Sequence, residues 1–312
     1  MSNKSLIILP HISVINANLI SGPLTWGFPP MTAFLGAAHR LMRLRPDLPF
    51  KIDGVGVVCH EFTPQASKAP GSFMYSLHLS RLPLNEKGES ASFVEDGRAH
   101  MTISLVFMAD TGEEYIDAER EGTGYAEIML HTLQGMRLAG GSIIPSCNKE
   151  PVWESIPESL EDQQTAFRKL CRSLLPGFVL VNQHDLLCSH LKEMREKNPD
   201  ATPLDALLDI CALHHAPPAE PGESWTSCRR YPGWLVPLPL GYQAISPLYE
   251  AGRVKNARDN ETPFCFVESV CSLGEWKSPH RLKLPQEMLW RYAEDLDTGE
   301  YHTVPYTCNN QL

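Results

Sequence analysis

SLIILPHISVINANLISGPLTWGFPPMTAFLGAAHRLMRLR (5–45), followed after a short gap by KIDGVGVVCHEF (51–62), sets strand, loop, helix and strand in one run. Residues 5–15 are apolar and rich in β-branched side chains, the mark of a buried strand. Asn16 and Asn18 stand at its exit. Residues 31–45 read as a helix with Pro30 near its first turn and Pro46 at its end. Phe34, Leu35, Ala38, Leu41 and Met42 fall at helical spacing and face the core, leaving His39, Arg40, Arg43 and Arg45 to other faces. No Lys, Arg, Asp or Glu occurs between Lys4 and Arg40. Trp26 and Phe28 lie in that stretch, on a Gly/Pro loop. Left open to water they form an apolar patch, so they either pack within the fold or dock elsewhere.

Working outward, SFMYSLHLSR (72–81) alternates apolar and polar residues, as a half-buried strand does. A turn is expected at 85–88, a strand at 99–108, a helix within 113–135 and a short strand at 140–146. The chain is therefore α+β. Residues 1–150 follow the split, ferredoxin-like (RRM-like, βαββαβ) order with a β-hairpin insertion. The style then changes. Amphipathic helices are expected at 161–175, 184–197 and 202–215, so 151–215 reads as a helical insertion. Residues 216–312 read as a β-rich part packed on the core.

The chain has 312 residues, a net charge of −10 and 43% hydrophobic residues. That composition suits a globular protein and argues against a general nucleic-acid coat, which needs many cations. No apolar run is long enough to span a bilayer. Nine scattered Cys without a CxxC pair predict a reduced, cytoplasmic protein. The P-loop, nucleophile-elbow and HExxH motifs do not occur. His184, Cys188 and His190 lack the paired knuckles of a zinc site. No cofactor, metal or catalytic set is expected. His11 and His60, at strand ends, are candidates for acid–base work or satisfied edge histidines. His214-His215 reads as a helix end, where the helix dipole favours a cation.

Three C-terminal stretches mix cations with aromatic, Gly or Asn residues: CRRYPGWLVP (228–237), GRVKNARDN (252–260) and GEWKSPHRLK (274–283). Single-stranded RNA is gripped in this way, with cations on phosphates and rings on bases. Arg253, Lys255, Asn256 and Arg258 are candidates, as are Trp276, His280 and Arg281. The alternative is a solvated loop with Asp259 and Glu261 as local partners. In GMRLAGGSI (135–143), the glycines after Arg137 either let backbone approach a ligand or close a helix.

Several stretches together resemble a known family. They are NANLISGPLTWGFPPMTAFLGAAHRL, DGVGVVCHEF, VEDGRAHMTISLVF, GMRLAGGSIIPSCN, LPGFVLV, PGWLVPLPLGYQAISPLYEAGRVKNARDNETPFCFVES and GEWKSPHR. The resemblance is to the 5′-handle subunits of type I-F CRISPR surveillance (Csy) complexes, members of the RAMP superfamily. It covers most of residues 5–292. It implies a ferredoxin-like RAMP domain with a hairpin or thumb insertion and no catalytic activity. It implies binding to the 5′ handle of the CRISPR RNA, pairing with the large subunit, capping of the backbone subunits, and target DNA met only through the assembled complex. Under it, Asn16, Asn18, Trp26, His39, Arg40 and Arg137 join the C-terminal residues as candidate RNA contacts. A recognisable Gly-rich loop near the C-terminus and an RNP1-type aromatic signature are not found. A metal-independent ribonuclease using His11, His39 or His60, and a protein-only scaffold, remain as alternatives.

Overall fold

The computed structural model describes residues 4–306 apart from 24, 82–83, 91, 113–115, 146–148, 219–223, 258 and 296–298. It divides into two compact units, residues 1–179 with 278–289, and residues 180–277 with 290–312.

In the first unit the order is β1 (Lys4–Asn18), α1 (Met31–Leu44), β2 (Lys51–Pro64), β3 (Arg98–Asp110), α2 (Thr123–Gln134), β4 (Gly141–Ile144), β5 (Val152–Ser155) and α3 (Leu160–Ser173). The strands stand as β4-β1-β3-β2, each antiparallel to its neighbour. β4 pairs with β1 at Ser13–Ile15, and β5, which the sequence did not announce, pairs with it at Ser5–Ile8. Strand alternation sends Met101, Ile103, Leu105 and Phe107 to one face, all buried. α1 lies on that face. Phe28 stacks on Phe34 with centroids 5.5 Å apart and meets Phe62, the partner of Met101. Met31, Phe34 and Leu41 are fully buried; each such side chain contributes about 1.5–3 kcal/mol. α2 covers the far end, where Trp153 packs against Tyr125 and fills the space a Cβ on Gly122 would need.

The opposite face is divided. Val106 and Met108 are covered: Gly56 stands opposite Val106, and a Cβ on it would lie 3.0 Å from the Met288 carbonyl oxygen. α3 helps hold this cover, since the Cys171 thiol donates to the Pro279 carbonyl at 3.4 Å. Toward the other end the cover stops. Asn16, Asn18, Glu61 and His100 are exposed, and Arg98 and Thr102 partly so.

The second unit contains the end of β6 (Phe178–Asn182), α4 (His184–Lys197), α5 (Pro203–Cys211), β7 (Trp234–Ala244), β8 (Val267–Lys277), β9 (Trp290–Asp295) and β10 (Glu300–Pro305). Its strands run β8-β7-β10-β9, antiparallel throughout. Leu187, Ala206, Leu207 and Ile210 from the two helices pack on Leu235 and Leu273. α5 starts on a capping box, Thr202 with Asp205, as its Thr-Pro-x-Asp start suggests.

Four sequence expectations are corrected. Residues 72–81 are not a half-buried strand. They form only short pairings, Ala66–Ser67 with Ser76–Leu77 and Leu79–Arg81 with Phe93–Glu95, and Phe73 is 95% exposed. Alternation buries a strand only where a second layer meets its apolar side. The helix within 113–135 is regular only from Thr123, after five wider-wound residues. α5 ends at Cys211, so His214-His215 is no helix end: His214–Ala216 is a strand paired with Thr226–Cys228. The glycines after Arg137 do not close a helix. Ala139 and Gly140, both at positive φ, turn a two-residue hairpin from Arg137–Leu138 into β4.

Candidate nucleic-acid interface

The uncovered end of the first unit's sheet is built around Asn16. Its φ of 55° marks the bulge where β1 shifts register against β3. Asn tolerates the left-handed conformation better than most residues. Its Oδ1 accepts from Gln65 Nε2 at 2.7 Å, and its backbone N–H donates to His100 Nδ1 at 3.3 Å. His100 Nε2 lies 3.0 Å from the Gln65 amide. Arg98 Nε donates to Asp96 at 3.0 Å, and Nη1 reaches the Asn16 carbonyl. Asn18 turns its amide inward, donating to Ile20 O at 2.7 Å and accepting from Ile20 N–H. Asn16, Gln65, Arg98 and His100 thus form one hydrogen-bonded polar surface.

Arg137 donates to the Gly140 carbonyl across its hairpin. That hairpin adjoins the surface, because Asn18 N–H donates to Ala139 O at 2.8 Å. Gly141 permits the approach: a Cβ there would lie 2.6 Å from Ile15 O and 2.8 Å from Ala17 N.

Trp26 is 53% exposed. It is therefore not a core residue, although Ile20 and Trp26 bridge across their loop. Its ring lies 6.2 Å from that of Tyr75, and the Lys68 ammonium stands 5.5 Å from Tyr75 and 5.8 Å from Phe73. Lys68, Phe73 and Tyr75 belong to the segment that leaves the sheet at Gln65 and returns at Arg98, joined there by Gln65 N–H to Arg98 O. The result is an aromatic and cationic group beside the polar surface. His39 and Arg40 are exposed on α1. α1 covers the other face of the sheet, so they do not join this surface.

His11 and His60 converge. Their rings stack at 4.0 Å with 12° between planes. His60 Nδ1–H donates to Pro176 O at 2.6 Å, leaving Nε2 to accept from Ser104 Oγ at 2.7 Å. Ser104 Oγ also accepts the His11 backbone N–H. Lys149 Nζ donates to His11 Nε2 at 2.7 Å. Burial lowers both imidazoles below their ordinary value, and the neighbouring Lys149 charge adds to this.

The remaining candidates divide. Arg253, Lys255 and Asn256 are exposed in the second unit, with Asn256 at a φ of 62°. Asp259 caps Glu261 N–H and Thr262 N–H through its Oδ1. Trp276 packs 6.1 Å from Trp234, which is 52% exposed and was not singled out in the sequence. His280 and Arg281 are exposed in a turn assigned to the first unit, with His280 bonded to Ser278 Oγ. Arg258 lies outside the described residues. His184 bonds Ser272 and Cys188, while His190 bonds Tyr231 and Asp209. Among the described residues, no group of three or more His, Cys, Asp or Glu is placed to hold a metal ion. No described helix is long and apolar enough to cross a membrane.

Comparison with known proteins supports the Csy-complex part of the resemblance in the motifs. The family described as CRISPR-associated protein (Cas_Csy2) matches residues 7–303. "CRISPR-associated protein Csy2" of Pseudomonas aeruginosa (strain UCBPP-PA14) is 44% identical over 311 residues, covering 96% of this chain and 94% of that protein.

Proposed function

Because the chain belongs to the CRISPR-associated Csy2 family, we propose that it is a non-catalytic subunit of a type I-F RNA-guided surveillance complex in antiviral defence. In that role it binds the 5′ handle of the CRISPR RNA, pairs with the large subunit and caps the backbone subunits. Target DNA is met through the assembled complex. The strand order β4-β1-β3-β2 within a βαββαβ succession supports a ferredoxin-like RAMP domain, with residues 65–97 as its thumb. The helical segment 151–215 is then an insertion.

One observation carries the RNA reading. Half of one sheet face is bare, polar and exposed, and it is bordered by Trp26, Tyr75, Phe73 and Lys68. Single-stranded RNA pairs well with that chemistry: amides and imidazoles for base edges and sugar, rings for stacking, an ammonium for phosphate. Arg253, Lys255 and Asn256 offer a second set of the same kind in the other unit.

A metal-independent ribonuclease is the second reading, because His11, His60 and Lys149 meet. Such chemistry needs an imidazole nitrogen open to the 2′-OH. Both nitrogens of His60 are already engaged by protein groups, which favours the non-catalytic role. The test is co-expression of the chain with guide RNA and the large subunit, followed by purification on this chain. Intact guide RNA in the complex is expected. A complex free of RNA, or RNA shortened to new ends, overturns the proposal.

A further inference from the structure

The His11 cluster sits at a boundary in the sheet. Val58 and Ser104, paired across β2 and β3, are the last buried residues before the cover ends. Gly177, at the edge of that cover, has no room for a Cβ against Val58 and His60. Beyond this line lie Thr102, Glu61 and then the Asn16–His100 surface. Lys149, exposed, reaches in to His11, and its contact is to a neutral acceptor rather than a carboxylate. His11 holds a φ of 48° at the bulge where β1 shifts against β3. That conformation is uncommon for residues other than glycine and marks a position set by its surroundings.

We propose that Lys149 and the stacked His11–His60 pair form a phosphodiester-binding site at the covered end of the bare sheet face. The inference rests on the RNA reading above and deepens it by naming one backbone contact. Three features favour a phosphate. An ammonium and an imidazole converge within one hydrogen bond of each other. His60 is fixed from behind by Pro176 O and Ser104, so the pair is held in place before a ligand arrives. The site lies in line with the surface proposed for the bases.

Binding there couples to a proton. In the free protein Lys149 Nζ donates to His11 Nε2, so that nitrogen carries no hydrogen. When Lys149 turns to a phosphate oxygen, Nε2 is released. It takes a proton from solvent and becomes a second donor to the same anion. The groups facing His11 are His60 and Glu61 from β2, Ser104 from β3, Lys149, and the Pro176 carbonyl behind His60. Glu61 alone among them favours the charged ring. The neighbouring phosphate adds a second negative charge and draws the proton.

The experiment measures affinity of the full chain for guide RNA at pH 7.5, 6.5 and 5.5, for the wild type, Lys149→Gln and His11→Asn. Asn accepts the left-handed backbone at position 11, so the second variant preserves the bulge. His100 also lies on this face, so the pH profile is compared between proteins rather than read from one. The expected wild-type affinity rises toward tenfold per pH unit where one proton is taken up. Lys149→Gln weakens binding several-fold at each pH, and His11→Asn flattens the profile. Wild-type affinity and an unchanged profile in both variants overturn the site while leaving RNA binding intact. Failure of the wild type to bind guide RNA at any pH overturns the RNA reading and the site together.

Discussion

The Trp26 ring lies 6.2 Å from the Tyr75 ring, on a loop that joins β1 to α1, and more than half of Trp26 faces water. The charge-free stretch after Lys4 therefore has two uses. Its strand and helix residues fill the core, and its loop presents an aromatic surface beside the polar end of the sheet. Trp26→Ala removes only a half-buried ring, about 1 kcal/mol of apolar burial. The variant is expected to fold with a thermal midpoint close to the wild type and to lose guide RNA or complex assembly. Unfolding of the isolated variant would place Trp26 in the core instead.

Gly141 carries the opposite expectation. A Cβ at this position meets Ile15 O, Val14 Cγ1 and Ala17 N, all under 3 Å. Gly141→Ala must push the hairpin off β1, an overpacking cost of about 1–3 kcal/mol. Thermal unfolding should show a clear drop, whereas Gly124→Ala, which meets no atom within 4 Å, should not.

Acid should weaken the free chain through the His11–His60 stack. Burial holds both imidazoles below their ordinary value. The unfolded chain then binds more protons than the folded one as pH falls through that value. This contribution is full above about pH 6.5 and is lost below it. Denaturant midpoints at pH 7.5 and 5.5 should fall further apart in the wild type than in His11→Asn. Equal slopes would remove the stack from the acid response.

Thiol reactivity should sort by burial. Burial pushes the Cys59 thiol up to about 12 and the Cys171 thiol up to about 11, and the thiolate is the reacting species. Cys228 is exposed. Among the described cysteines, a thiol reagent at neutral pH is expected to modify Cys228 before Cys59 and Cys171. Early labelling of Cys171, mapped by peptide mass, would contradict its packing against Pro279.

Salt separates phosphate binding from incidental charge. Each phosphate contact to a single strand adds roughly 0.7 to the slope of log affinity against log salt. Arg253→Glu with Lys255→Glu should lower guide RNA affinity and flatten that slope without moving the thermal midpoint. An unchanged slope would assign the two residues to a solvated loop.

Much of the framework was legible because β1, α1, β2 and β3 each carry an uninterrupted apolar pattern. Residues 72–81 show the limit of that pattern. Phe73, Tyr75 and Leu79 alternate as a strand should, but alternation says nothing of whether a layer covers it. β5 was missed because VWES is short and depends on its long-range pairing with Ser5–Ile8. The sequence reading named Asn16, Trp26 and Arg137, the RNA role of each coming from the family resemblance, but not Gln65, Arg98 and His100. Those residues matter only because two bulges and a hairpin bring them to Asn16. The nearest signal was DGRAHMT, which mixes cation, imidazole and Gly inside a strand. Trp234 was overlooked beside Trp276 for a similar reason, since the pairing of β7 with β8 brings them together.

The most direct test is ultraviolet crosslinking of the assembled complex, with the crosslinked residues mapped by mass spectrometry. The proposal places guide RNA on the uncovered sheet face, so crosslinks are expected at Trp26, Tyr75 or His100. Abundant RNA crosslinks elsewhere in this chain, with none at those residues or on their peptides, would contradict it.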